Sequence, residues 1–182
     1  MFRQGIIELK KRRRVCVGPV LTLLFENQDT IRFQIQEMAR AERILSDEGI
    51  QTELDIYNPL VPGDGVLAAT LFIELTSDAQ LREWLPKLVG IERSVELRVG
   101  RDASVVRGQV DVDHDKQLTR DEMTASVHYA HFRLSPHQAA VLAEGPVAVV
   151  VTHPGYDHRA ELSAETRAEL ATDVAAVAEG TG

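Results

Sequence analysis

Histidine is the residue whose placing first suggests chemistry. All six histidines fall between His114 and His158, and His153 and His158 flank Pro154-Gly155-Tyr156, which reads as a loop after a buried strand. Such a loop can bring two imidazoles to one ion. Imidazole and carboxylate together suit zinc, iron or manganese, so His128, His153 and His158 with Glu42 form a candidate transition-metal site. The competing reading is that each ring is a satisfied hydrogen-bonding group in its own surroundings. A hydrolytic role would further require a metal-activated water.

A second constellation runs from Asp111 to Glu122. Asp111, Asp113, Asp115 and Glu122 stand where a twelve-residue calcium loop places its carboxylates. The sixth position holds Lys116, where such a loop needs glycine for its turn, and the flanks read as strands rather than helices. A hairpin with a solvated acidic tip is the alternative, so calcium ranks behind a transition metal as cofactor. The chain has no glycine-rich dinucleotide loop, phosphate loop, His-Glu-x-x-His helix or Gly-x-Ser-x-Gly elbow. The single cysteine, Cys16, lies in an apolar run and reads as a small buried filler; one cysteine also excludes a disulfide framework.

The elements that must carry these groups follow from length and pattern. The 182 residues are 44% hydrophobic and 26% charged, which suits one domain able to bury a core without staples. Charge is uneven: Arg3, Lys10, Lys11, Arg12, Arg13 and Arg14 crowd the start, while the rest is acidic enough to bring the formal net charge to −8. An acidic body disfavours nucleic acid as a partner. No apolar stretch reaches the ~20 residues of a membrane span, and Glu26-Asn27-Gln28-Asp29 replaces the cleavage site an export signal would need. A cytoplasmic protein is the expectation.

The pattern predicts a flexible basic segment over 1–14, one domain over 15–178 and a disordered tail over 179–182. Val15 to Phe25 reads as one strand bent at Gly18-Pro19. A helix is expected from Thr30 to Asp47, ending near Gly49, with Ile31, Ile35, Met38 and Leu45 on its apolar stripe. Glu42 falls inside that stripe, where it pairs with an Arg or His from elsewhere or serves a site. Strands are expected at 52–57, 66–75, 94–99, 103–112, 125–134 and 146–152, with helices opened by the Ser77/Gln80 and Ser135/Gln138 capping boxes and by Ser163. On the strand 125–134, alternation sets His128 with Ala130 and Phe132, and His131 with Val127 and Tyr129. About seven strands and four helices in irregular order predict an α+β single domain with a mainly antiparallel sheet.

Beyond these patterns, the chain resembles a bacterial domain-of-unknown-function family, DUF3501. The resemblance rests on Arg12-Arg13-Arg14-Val15, Leu21-Thr22-Leu23-Leu24-Phe25-Glu26-Asn27, Phe33-Gln34-Ile35-Gln36-Glu37-Met38, Arg40-Ala41-Glu42-Arg43-Ile44, Tyr57-Asn58-Pro59-Leu60, Ser126-Val127-His128 and His153-Pro154 with Tyr156 and His158. It covers most of the chain but not the Asp111 to Glu122 loop, which counts against calcium as the core function. It implies a context near rubrerythrin-like and iron–sulfur proteins and no established activity. The leading expectation is a non-catalytic accessory protein of a redox or metalloprotein partner. A metal-binding protein, enzymatic or not, built on Glu42 and the histidines is the second reading, calcium binding the third, and self-association stays open.

Overall fold

Gly18 sets the first topological feature. In the computed structural model, which describes residues 1–110 and 123–175, Gly18 takes φ +71° and reverses the chain. The apolar run expected as one bent strand is therefore a hairpin, β1 (Arg14–Val17) and β2 (Leu21–Glu26). Only glycine fits the turn. A Cβ there would sit 2.5 Å from Tyr156 Oη and 2.6 Å from the His158 ring.

The hairpin belongs to an antiparallel sheet of order β1-β2-β3-β6, with β3 at Val66–Ile73 and β6 at Val127–Arg133. A second antiparallel sheet has the order β5-β4-β7-β8, from β4 (Val95–Val99), β5 (Ser104–Arg107), β7 (Val147–His153) and β8 (Tyr156–Glu161). The main core lies between them, where Leu23, Phe25, Leu71 and Phe132 of the first sheet meet Leu97, Val149 and Val151 of the second. The sheets also approach at both edges. β1 lies against β7 and β8, and Gln109 exchanges two backbone hydrogen bonds of 2.8 Å with His131 of β6.

Six helices complete the described residues: α1 (Phe2–Arg13), α2 (Gln28–Ala41), α3 (Asp47–Tyr57), α4 (Asp78–Lys87), α5 (Pro136–Val141) and α6 (Ala164–Ala175). The fold is α+β with antiparallel sheets, as the pattern predicts, but with eight strands rather than seven. The split hairpin adds one strand, β8 adds another that the loop reading of Tyr156 to His158 concealed, and the strand expected at 52–57 is lost to a helix.

Three further expectations are corrected. The N-terminal segment is not a loose tip: α1 buries Ile6 and Arg13, and its last turn carries Lys10 to Arg13, where cations complement the negative helix end. The second correction concerns α2, which stops at Ala41 because Arg43 turns left-handed at φ +53°. The amide of Ile44 then bonds the carbonyl of Ala39, and that of Arg43 the carbonyl of Arg40, a pairing that closes a helix end. Leu45 consequently leaves the apolar stripe and is 95% exposed. Third, residues 52–57 are helical, not a strand. Ser46 caps α3 by accepting from the Gly49 amide, and Asp47 and Glu48 occupy its first turn, where acids suit the helix dipole.

Candidate functional site

The residues singled out for metal binding occupy separate places. His128 is buried on the inner face of β6, opposite Leu71, with Nε2 2.7 Å from Thr124 Oγ1 and 2.9 Å from the Ala125 carbonyl. Its Nδ1 stands 4.0 Å from the buried carboxylate of Glu92. His153 and His158 lie on the inward face of the β7–β8 hairpin. His153 Nε2 donates to the Val89 carbonyl at 2.8 Å, and its Nδ1 accepts from the Gly155 amide at 3.0 Å. Those two partners assign the neutral ring with hydrogen on Nε2, and a metal on either nitrogen would displace one of them. His158 packs on the Tyr156 ring, centroids 4.4 Å apart.

Glu42 is the exposed C-terminal cap of α2. The proposed quartet therefore does not gather: among the described residues, no group of three or more His, Cys, Asp or Glu side chains is arranged to hold a metal ion. Asp111, Asp113, Asp115 and Glu122 lie outside the described residues, as does the tail 179–182. Cys16 is exposed rather than buried, because β1 turns Val15 and Val17 inward and Arg14 and Cys16 outward.

A different cluster does converge. On the outer face of the first sheet, strand alternation aligns Leu24 and Glu26 of β2, Thr70 and Phe72 of β3 and Val127 and Tyr129 of β6, with Thr70 directly opposite Tyr129. Helix α2 covers this face by burying Ile31 and Ile35, and the single turn Asn58–Leu60 after α3 adds Leu60. Burying an isoleucine contributes about 1.5–3 kcal/mol, which fixes α2 over the sheet. His131 also anchors that turn, its Nε2 lying 3.1 Å from the Pro59 carbonyl.

Between helix and sheet is a cavity of about 270 Å³. Its floor holds Glu26, Thr70, Ile31 and Leu60, all buried. Its rim holds Gln34, Met38, Tyr57 and Tyr129, all half-buried, so the cavity reaches the surface there.

Glu26 is 7% exposed and is fixed at both oxygens. Thr70 Oγ1 donates to Oε1 at 2.7 Å, and Thr30 Oγ1 donates to Oε2. Thr30 is itself set by the capping box of α2: its hydroxyl accepts from the Asn27 amide at 2.9 Å, and its own amide donates to Asn27 Oδ1 at 3.0 Å. The cap that starts α2 thus also orients the carboxylate. Burial, then Tyr57 and then Glu26 raise the Tyr129 hydroxyl above its usual range, so the phenol stays protonated at neutral pH.

Residue type alone does not mark this cluster: in the sequence Glu26 follows an apolar run and Tyr57 ends a segment whose pattern suits a strand. The available signal was a polar residue inside each of three apolar strands, Glu26, Thr70 and Tyr129, on the faces that alternation opposes to Phe25, Ala69 and Phe132.

Comparison with known proteins gives the same outline. A crystal structure of a protein of unknown function from Burkholderia pseudomallei K96243 is 42% identical, with a TM-score of 0.86 over 95% of this chain and 89% of that one. No curated protein matches. The family described as "Protein of unknown function (DUF3501)" matches residues 1–174. With nearly the whole described fold inside that match, the chain belongs to the DUF3501 family.

Proposed function

We propose that this protein is a non-catalytic binding protein, a cytoplasmic accessory to a redox or metalloprotein partner, and that the Glu26 pocket is its recognition site. One observation carries the reading: a buried carboxylate, held at both oxygens by Thr30 and Thr70, faces a cavity rimmed by Tyr57 and Tyr129. A site that converges a few polar groups in an apolar concavity is built for recognition. The two hydroxyls nearest the carboxylate are themselves buried and hold it in place. The redox setting comes from the family context, an oxidative-stress role included.

The test is capture from native extract with tag-free protein coupled through its amines, beside a Met38→Trp variant that fills the cavity. A rubrerythrin-like or iron–sulfur protein, identified by mass spectrometry and metal content, should be enriched by the wild type and lost with the variant. Equal recovery by both baits, or no metalloprotein with either, would overturn the reading.

A further inference from the structure

Glu26 poses a problem of charge. A carboxylate removed from water needs a counter-charge or several hydrogen bonds, and the two hydroxyls supply only part of what water did. Among the described residues no Lys, Arg or His nitrogen lies within the 4.0 Å that defines an ion pair with Glu26. The side of the carboxylate that remains faces the cavity. Phe72, Tyr57, Tyr129 and Gln34 line the same cavity.

We infer that this pocket binds an organic cation, an ammonium or guanidinium head on a short apolar stem, with Glu26 as its counter-charge. The inference rests on the reading of the pocket as the recognition site and names what it recognises. Aromatic faces attract a cation through their negative quadrupole, and the attraction grows as water is excluded. Gln34 can turn its carbonyl to the head group, and Met38 and Ile31 offer apolar surface to the stem. At about 270 Å³ the cavity falls just below the range for drug-sized ligands, so it fits one head group and its stem.

Other ligand classes fit less well. An anion would meet the Glu26 charge. A neutral apolar group would strip the remaining water from the carboxylate and return nothing. A bare metal ion takes six or more oxygens, or a set of nitrogen and sulfur donors, whereas here one carboxylate is already engaged by two hydroxyls. The cation could arrive as a free amine or as the arginine or lysine side chain of a partner protein, because the chemistry is shared.

Isothermal calorimetry on the full chain tests this with agmatine and n-butylammonium as cations, 1-butanol as neutral isostere, butyrate as anion, and a short arginine-containing peptide. Both cations should bind and 1-butanol and butyrate should not. Glu26→Gln should weaken the cations about tenfold or more, the loss of one charged hydrogen bond. Its fold is checked by a thermal melt. Met38→Trp, which leaves Glu26 in place, should also abolish binding. Peptide tighter than agmatine assigns the cation to a partner's side chain, and the reverse assigns it to a free amine; either supports the inference. Cations that bind no better than 1-butanol, or equally to Glu26→Gln, overturn it. If 1-butanol or butyrate instead binds and Met38→Trp blocks it, the cation is wrong while the recognition site stands; if no probe binds and partner capture ignores Met38→Trp, both fall.

Discussion

Arg13 and Asp173 join the two ends of the described chain. The fully buried guanidinium of Arg13 donates from Nη1 to Asp173 Oδ2 at 2.8 Å and from Nη2 to Oδ1 at 2.5 Å. It also reaches Glu169 and the Phe25 carbonyl, each at 3.3 Å. One side chain at the end of α1 thereby fastens α6 and the strand that carries Glu26 at its last position. Within the basic run, Arg12 and Arg13 pair with acids of α6.

Removing one member of such a pair leaves the other buried and uncompensated. Arg13→Ala should cost about 3–5 kcal/mol in urea denaturation. Arg13→Lys should recover only part of this, since an ammonium cannot make the paired bonds. A loss below about 1 kcal/mol, the ordinary value of an exposed ion pair, would contradict the buried clasp.

Asp173 should titrate abnormally. Burial raises its carboxyl above the ordinary value, the bonds and charge of Arg13 pull it back, and the charge of Glu169 adds a further rise. A carboxyl whose folded pKa exceeds its unfolded one binds its proton more tightly in the fold. Its contribution therefore favours folding at acid pH and is lost as pH rises through the folded value. Carbon-detected NMR should place Asp173 above the reference of about 3.9; a value at or below it contradicts the dominance of burial.

Tyr156 links the two sheets through the β1–β2 turn. Its Oη accepts from the amides of Val20 and Leu21, both at 3.0 Å, and donates to the Val17 carbonyl. Tyr156→Phe leaves two buried amides without that acceptor and should cost about 1–3 kcal/mol. Hydrogen exchange should quicken at Val20 and Leu21 before it quickens in β3. Unchanged exchange at both would show that the turn does not depend on the phenol.

The phenol of Tyr129 reports on Glu26. Burial is the largest cause of its raised pKa, and the Glu26 charge is a smaller one. Glu26→Gln should move the Tyr129 titration back toward, but not to, the reference of about 10, read from ring-carbon NMR. A phenol whose folded pKa is raised favours the fold below the unfolded pKa and loses that contribution as pH rises through the folded one. No movement in Glu26→Gln would contradict Glu26 as a cause of the rise.

Local patterns carried much of the fold. Alternation placed β4 and β6 and told His128 from His131, and the Ser135/Gln138 box marked α5, with both reciprocal bonds formed. Helix and strand were confused at 52–57 because the Ile56 and Tyr57 pair suits either state, while the cap at Ser46 lay inside what read as one long helix. The end of α2 depends on a left-handed Arg43, a conformation ordinary for glycine and not announced by arginine. For the site, the histidines drew attention by type, yet His153 is used up by Val89 and Gly155. Glu26 escaped because its neighbours Thr70 and Tyr129 are more than forty residues away in sequence and are brought together only by strand register.

Entry of a cation into the pocket at Glu26 is read most simply by amide NMR of the wild-type protein titrated with agmatine. Binding there gives saturable shifts at Glu26, Thr30, Thr70 and Tyr129, with the inward-facing residues of β7 and β8 unmoved. Shifts confined to the exposed acidic surface, or none at these four residues, would contradict it.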